Sequence, residues 1–301
     1  MKLATFRDAA GQNRLGAVSN DVLVGLRSAF EHLGASLMDG GLSAGFLSDA
    51  VGFLQEGRRA INLATDLAEA AKKSKDKSVV PLAQIKLLAP IPRPPKIVAV
   101  GRNYKEHAAE GSIKLPELPK LFPKFPNTVI GPNEPIVLPK MSQQVDFEVE
   151  LAVVIGRPCT SVSREEALQY VGGYTILNDV SARDIQFKDE QITLGKNFAT
   201  FCPMGPYVVT ADEIPDPGTL DIRCWVNDKL MQDSNTKHLI FDVPYLVSFI
   251  STVLPLEPGD VIATGTPAGV GVFRKPPVFL RAGDRVRMEV QGVGVLENPV
   301  V

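Results

Sequence analysis

The stretch Asp146-Phe147-Glu148-Val149-Glu150 carries three carboxylates at alternate positions and continues directly into the apolar run Leu151-Ala152-Val153-Val154-Ile155. Apolar residues between and after the acids are typical of an extended strand that enters a core. Residues two apart on a strand share a face, so the three acids are predicted to point the same way, about 7 Å apart. Like charges this close repel unless a cation neutralises them, which favours a divalent metal site.

A fourth acid, Asp179, follows a strand-like run. Ser181 and Asp184 have the spacing of a capping box, so a helix capped by Ser181 is predicted to begin just after Asp179. Together with Glu148 and Glu150 it completes a set of three carboxylates, the hard oxygen ligands that suit Mg²⁺ or Mn²⁺. Two plainer interpretations remain open. The acidic strand could be a solvated edge, and Asp179 could be a turn residue paired with Arg183 on the surface.

The segment around His107 contains one of only three histidines in the chain. If Asn103 caps a short helix there, His107 and Glu110 lie on one face and can act as a dyad that deprotonates water. Lys196 could supply positive charge to an anionic substrate, and Thr266 lies in a small-residue loop that would let backbone N–H groups approach a carboxylate. An ordinary His/Glu contact and a surface lysine are the alternatives.

The composition is that of a globular protein with ample core: 301 residues, of which 45% are hydrophobic and 22% are charged. A formal net charge of -2 creates no field that attracts polyanions, so nucleic acid is not an expected partner. The amino terminus lacks a signal-peptide pattern, and no apolar stretch approaches membrane-spanning length. We therefore predict a cytoplasmic protein with no membrane partner, whose three cysteines are small buried residues outside any disulfide framework.

Prolines mark a change in organisation, at Pro81, Pro90, Pro92, Pro94 and Pro95. No helix or central strand would tolerate this spacing. We predict a small amino-terminal accessory domain over residues 1–80, a proline-rich linker over 81–95, and a catalytic domain of many short strands over 96–301. Within the last segment, a helix is predicted to begin after the capping residue Asp242.

From about Pro95 to the carboxyl end, the sequence resembles the fumarylacetoacetate hydrolase family. The resemblance is carried by motifs in the family's order: Val100-Gly101-Arg102-Asn103-Tyr104, the acids between Asp146 and Leu151, the segment from Asn178 to Gln186, Gly195-Lys196-Asn197-Phe198, and Thr264-Gly265-Thr266-Pro267. It implies an α+β, β-rich fold, a mixed β-sandwich roll with a small amino-terminal domain, usually as a homodimer. It also implies Mg²⁺ or Mn²⁺ held by Glu148, Glu150 and Asp179, with Asp146 outside that ligand set.

By the same resemblance, His107 and Glu110 match a water-activating dyad on a lid that orders when ligand binds, and Lys196 is a third catalytic residue. The implied substrate-binding residues are Arg102, Tyr104, Arg183, Gln186 and Thr266.

The implied reaction is metal-dependent hydrolysis of a C–C bond in an acylpyruvate-type 2,4-dioxo acid, which yields pyruvate and a carboxylic acid, as in aromatic catabolism. Oxaloacetate decarboxylation, and isomerase or lyase chemistry on a related 2-oxo acid, remain open because each needs the same electron sink beside a chelated keto group. A metal-stabilised binding protein without activity is the remaining alternative.

Overall fold

The computed structural model describes residues 1–37, 44–111, 114–188 and 192–301. Strands predominate, and they are β1 (Lys2–Arg7), β2 (Asn13–Ser19), β3 (Val22–Gly25), β4 (Val79–Pro81), β5 (Lys86–Leu87), β6 (Ile97–Gly101), β7 (Lys120–Lys124), β8 (Val129–Ile130), β9 (Val145–Asp146), β10 (Val149–Ile155), β11 (Val171–Asn178), β12 (Ser181–Ala182), β13 (Cys202–Thr210), β14 (Asp221–Val226), β15 (Lys229–Asn235), β16 (Val261–Ala263), β17 (Arg285–Val290) and β18 (Gly294–Pro299).

The α-helices are α1 (Leu26–Leu37), α2 (Ala50–Glu56), α3 (Arg58–Ser74), α4 (Lys105–Glu110), α5 (Arg183–Gln186), α6 (Thr193–Lys196) and α7 (Val243–Val253). Short 3-10 turns cover Gly45–Leu47, Leu82–Gln84, Pro126–Thr128, Ala167–Tyr170, Ala211–Glu213, Thr236–His238 and Gly271–Phe273. The predicted α+β, β-rich fold class is confirmed.

The strands form one large mixed sheet and two smaller sheets. The large sheet has 12 strands, with the main path β4-β3-β2-β1-β13-β11-β10-β16-β6-β7, β5 beside β1 and β8 beside β13. Its neighbours are antiparallel except for two parallel pairs, β16 with β6 and β13 with β8. Strands β15, β14, β17 and β18 form a second sheet, and β12 pairs with β9. The sheets are open, and β10 lies inside the largest of them.

Strand β10 is buried at every position, as its apolar sequence predicts. Its alternate residues face two different cores. Leu151 and Val153 belong to the core shared with β14, β17 and α7, whereas Ala152 and Val154 belong to the core that α1, α2 and α3 cover. By the period of two, Glu150 faces the same side as Ala152 and Val154, at the end of the strand where the core stops.

The amino-terminal segment continues the large sheet. Strand β1 pairs with β13, with Leu3 opposite Val208. Apolar residues between β5 and β6 are buried as well: Leu88, Ala89 and Ile91. The division into residues 1–80, 81–95 and 96–301 stays a prediction, and any such accessory unit shares backbone hydrogen bonds with the remainder of the sheet.

Two local predictions are wrong. The acidic stretch is not one continuous strand, because β9 ends at Asp146 and β10 begins at Val149. Helix α5 begins at Arg183, and Ser181 does not cap it; the Ser181 hydroxyl donates to the backbone oxygen of Asp179 at 2.8 Å instead. The sharp turn that this bond closes brings Asp179 back towards β10.

The three cysteines, Cys159, Cys202 and Cys224, are buried and unpaired, as predicted. None of the helices in the described ranges is long and apolar enough to cross a membrane.

Candidate metal and substrate site

Glu148, Glu150 and Asp179 meet at one buried point. Each offers a carboxylate oxygen, and these oxygens lie within 4.8 Å of one another. Pairing of β10 with β11 brings them together, because Val149 lies opposite Asn178 and the Asp179 N–H donates to the Glu148 backbone oxygen at 3.0 Å. Their exposed fractions are 5%, 2% and 1%, in that order. The alternative of a solvated acidic edge is therefore wrong.

Two buried lysines contact these carboxylates. Lys196 Nζ donates to Glu148 Oε2 and to Asp179 Oδ2, at 2.6 Å in each case. Lys124 Nζ lies 2.7 Å from Asp179 Oδ1 and donates to the backbone oxygen of Lys196 at 2.5 Å. Since Lys196 is only 3% exposed, the interpretation of it as a surface lysine is wrong.

Arg183 is also buried, and it is not a surface partner of Asp179. Its guanidinium donates to Asp146 Oδ2 at 2.9 Å, to Glu148 Oε1 at 2.6 Å and to Gln186 Oε1 at 3.0 Å. One arginine thus links two acids of the original stretch and fixes the orientation of the glutamine.

Asp146 holds the loop that follows Thr266. Its carboxylate accepts hydrogen bonds from the backbone N–H groups of Gly271 at 2.7 Å and Val272 at 3.0 Å, in addition to the bond from Arg183. Its oxygens are occupied by these donors, and it lies outside the cluster of three carboxylates.

Glu150 differs electrostatically from its neighbours. One of its oxygens accepts a backbone N–H at 2.8 Å, but no cation in the described part of the chain forms an ion pair with it. Burial, and then the charges of Asp179 and Glu148, raise the pKa of Glu150 well above its usual value. Burial acts the same way on Glu148, but the charges of Lys196 and Arg183 outweigh it, so the pKa of Glu148 lies below its usual range.

The donor set fits a divalent cation. Four buried carboxylates, counting Asp146, face three buried cations, which leaves one negative charge uncompensated. This uncompensated charge is assigned to Glu150, because the other three acids each form an ion pair. In addition, Asp179 Oδ1 is buried, and its one partner among the described residues is the Lys124 ammonium, 2.7 Å away. Three hard oxygens with spare acceptor capacity are what Mg²⁺ and Mn²⁺ bind.

A cavity of about 350 Å³ opens onto the three acids. Six of the other predicted site residues line it: Arg102, His107, Arg183, Gln186, Lys196 and Thr266. Tyr104 and Glu110 are not part of its wall. Tyr104 is fully buried, and its hydroxyl finds no hydrogen-bond partner among the described residues. Burial and the nearby charge of Glu150 raise the pKa of Tyr104.

His107 and Glu110 lie on one face of α4, as predicted, but they are not hydrogen-bonded to each other. His107 Nδ1 is 3.6 Å from Glu110 Oε2, and it is buried without a hydrogen-bond partner in the described ranges. The Glu110 carboxylate accepts the Gly269 N–H instead, at 3.1 and 3.2 Å to its two oxygens. The His107 ring packs against Phe273, with 5.9 Å between ring centroids.

Asn103 does not cap α4, whose N-cap residue is Tyr104. The fully buried Asn103 amide donates to the backbone oxygens of Phe241 at 2.9 Å and Thr264 at 2.7 Å, and it accepts the Phe241 N–H at 2.8 Å. The prediction of a cap is wrong, because three distant backbone groups compete for this side chain.

Several residues at the site were not predicted from the sequence, and three of them contact predicted site residues. Gln232 donates to Thr266 Oγ1 at 2.8 Å and accepts the first backbone N–H of β10 at 3.0 Å. Lys124 and Phe122 lie on β7, where the Phe122 ring centroid is 5.4 Å from the Lys196 ammonium. The alternation of Lys120, Phe122 and Lys124 was the available signal, and Pro123 obscured it.

An α+β fold that brings three buried carboxylates, a histidine and several cations to one cavity is the arrangement expected of a metal-dependent enzyme. A sequence profile of the fumarylacetoacetate hydrolase carboxyl-terminal domain matches residues 96–301. The chain belongs to the fumarylacetoacetate hydrolase family.

The chain is 47% identical over 251 residues to the mitochondrial oxaloacetate tautomerase of Xenopus laevis, a match that covers 83% of this chain and 77% of that protein. Maleylpyruvate hydrolase from Sphingobium sp. SYK-6, solved in complex with manganese(II) ion and pyruvate, is 35% identical with a TM-score of 0.77, covering 100% of this chain and 99% of the other. The structure of 2-hydroxyhepta-2,4-diene-1,7-dioate isomerase from Mycobacterium marinum is 36% identical with a TM-score of 0.73. The match covers 100% of this chain and 98% of the other. The names of these relatives cover three reactions.

Proposed function

We propose that this protein is a divalent-metal-dependent enzyme that moves a proton at the carbon next to the keto group of a 2-oxo acid, and so interconverts its keto and enol forms. The observation that carries the proposal is the buried set of Glu148, Glu150 and Asp179 at a cavity that Lys196 and His107 also line. The relatedness to an oxaloacetate tautomerase supports tautomerisation over the other reactions of the family.

The polar side chains around the buried carboxylates have distinct roles in this proposal. Mg²⁺ or Mn²⁺ bound by the three carboxylates would supply Lewis-acid stabilisation of negative charge on the keto oxygen. Arg183, Gln186 and Thr266 hold and orient the substrate carboxylate. His107 accepts the proton from carbon and returns it, because imidazole is the side chain suited to proton transfer in both directions near neutral pH. Lys196 adds positive charge where the enol oxygen forms.

Hydrolysis of an acylpyruvate, the reaction implied by the family resemblance, is the second candidate. The manganese and pyruvate in the related maleylpyruvate hydrolase favour it. It requires Glu110 to orient His107 for attack by water, whereas the Gly269 N–H holds Glu110 away. Hydrolysis needs this 3.6 Å separation to close into a hydrogen bond, whereas proton transfer by His107 alone does not.

We propose a homodimer and a cytoplasmic location for this chain. The oxaloacetate tautomerases to which it is related carry the word mitochondrial in their names, so the compartment needs its own measurement by localisation in the source cell.

The two reactions are separated by assaying EDTA-treated protein before and after addition of Mg²⁺ or Mn²⁺. Ketonisation of enol-oxaloacetate is followed by its ultraviolet absorbance, and hydrolysis by pyruvate release from acetylpyruvate. We expect metal to restore ketonisation well above the spontaneous rate. Full activity without metal would contradict the proposal, and pyruvate release as the only restored activity would favour the second candidate.

A further inference from the structure

One face of β7 runs from the buried acids to the mouth of the cavity. Lys120, Phe122 and Lys124 alternate on this strand and therefore share a face. Lys124 contacts Asp179 at the inner end, Phe122 lies beside the Lys196 ammonium, and Lys120 is exposed while lining the same cavity. Two such steps along a strand span about 13 Å, which places Lys120 at the outer end.

Arg102 lies next to Lys120. The register of β6 and β7 sets Gly101 opposite Lys120, and a Cβ built on Gly101 would come within 4.0 Å of the Lys120 Cβ. Arg102 follows Gly101 with a φ of 60°, which turns the chain out of β6, and its exposed side chain lines the cavity. Both side chains thus stand at the mouth of the cavity.

Neither of these two cations is neutralised by a residue that the structure describes. Among the residues that the structure describes, no acid forms an ion pair or a side-chain hydrogen bond with Arg102 or Lys120. Among the described residues, the acids of the cavity wall are Glu148, Glu150 and Asp179, which are all buried at its inner end. Within the described residues, the mouth therefore carries two positive charges with no counter-charge.

We propose that Arg102 and Lys120 bind the second carboxylate of the substrate, so that the enzyme selects 2-oxo dicarboxylates over 2-oxo monocarboxylates. The reaction itself rests on the proposed function, whereas the selectivity rests on these two residues. The four buried carboxylates and three buried cations of the site together carry one net negative charge. A bound divalent cation would change this to one net positive charge. With the two cations at the mouth, the site favours a dianion, and Phe122 offers an apolar surface to the carbon chain between the two carboxylates.

Binding of unreactive analogues tests this selectivity without any turnover. Malate and 2-hydroxybutanoate both chelate through a carboxylate and a neighbouring hydroxyl, and they differ only in a carboxylate against a methyl group at the far end. Calorimetry on the Mn²⁺-loaded protein should show tighter binding of malate. Arg102→Gln and Lys120→Gln should each weaken malate binding about tenfold while changing 2-hydroxybutanoate binding by less than about twofold.

The control is Lys73→Gln, the same substitution at an exposed position of α3, which does not line the cavity; it should leave both affinities unchanged. Mn²⁺ titration and thermal unfolding verify that each variant is folded and loaded, and Arg102→Lys should recover part of the malate affinity.

Equal affinity of the wild type for the two analogues, or equal loss of both in the variants, would overturn the inference. Loss of malate selectivity in Arg102→Gln and Lys120→Gln supports the inference whether or not the enzyme tautomerises oxaloacetate. Failure of the proposed reaction is seen separately, as absence of metal-restored ketonisation in the wild type.

Discussion

Among the single residues of the site, Glu150 is the proposed metal ligand whose removal should affect the fold least. It has no ion-pair partner in the described ranges, and its burial beside two acids is unfavourable while it is charged. We expect Glu150→Gln to abolish Mn²⁺ binding in calorimetry and to leave the thermal unfolding temperature unchanged or slightly raised. The control is Glu165→Gln at an exposed position, which should bind metal normally. Unchanged Mn²⁺ affinity in Glu150→Gln would remove this residue from the metal site.

His107 separates the reactions that need proton transfer from the one that needs chiefly an electron sink. Removal of a general base typically costs about 10²- to 10⁴-fold, so His107→Ala should lower tautomerisation, and any acylpyruvate hydrolysis, by that order. Decarboxylation of oxaloacetate should fall much less, because loss of CO₂ requires no base. The activities are measured on one variant at saturating metal. An equal loss of all three would mean that His107 positions α4 instead of transferring protons.

The acids, Lys196 and Arg183 could be predicted from the sequence because alternation and the family's motifs identify them locally. Lys124 and Gln232 could not, because their partners are far along the chain: Lys124 donates to residue 196 and Gln232 to residue 266. What a charged side chain contacts after folding, and hence whether it is buried, is not encoded in its immediate neighbours.

At the scale of elements, local capping patterns succeeded where no distant group competed for the side chain. Asp242 caps α7 as predicted, with its carboxylate accepting the Tyr245 N–H at 3.0 Å. Asparagine is an equally suitable residue type for a helix cap. Asn103 nevertheless does not cap α4, because its amide is bonded to the backbone near Phe241 and Thr264. Strand β7 was not placed from the sequence because it contains Pro123, which is tolerated there since β7 ends the path of its sheet.

The Asn103 amide should contribute strongly to stability, because this fully buried side chain pairs three backbone groups. Asn103→Leu leaves these groups unpaired, and we expect a loss of about 3 kcal/mol in the free energy of unfolding. Denaturant unfolding measures it. Asn127→Leu, at an exposed position, should change the same free energy by less than about 0.5 kcal/mol. Similar values for the two variants would mean that water replaces the Asn103 bonds.

At the scale of the whole molecule, the open question is whether residues 1–80 form an independent unit. The change in composition predicts one, and the family profile begins only at residue 96. Yet β1 pairs with β13, and Leu3 and Leu26 share a core with Val154 and Val208. Such a shared core should make unfolding cooperative.

We therefore expect one transition when the whole chain is heated in a scanning calorimeter, with equal calorimetric and van't Hoff enthalpies. Two resolved transitions, one of which survives removal of residues 1–80, would show that the amino-terminal segment folds by itself. The fold class was predictable from strand patterns, whereas this continuity was not, because pairing between residues 3 and 208 leaves no local trace.

The central claim is that one divalent ion, held by Glu148, Glu150 and Asp179, supports proton movement on a 2-oxo acid. Its most direct test is hydrogen–deuterium exchange at the carbon next to the keto group of 2-oxoglutarate, a 2-oxo dicarboxylate, followed by NMR in D₂O with Mg²⁺. We predict exchange above the spontaneous rate for the metal-loaded wild type, and the spontaneous rate for the EDTA-treated protein and for Glu150→Gln. Equal exchange with and without metal, or full exchange by Glu150→Gln, would contradict the claim.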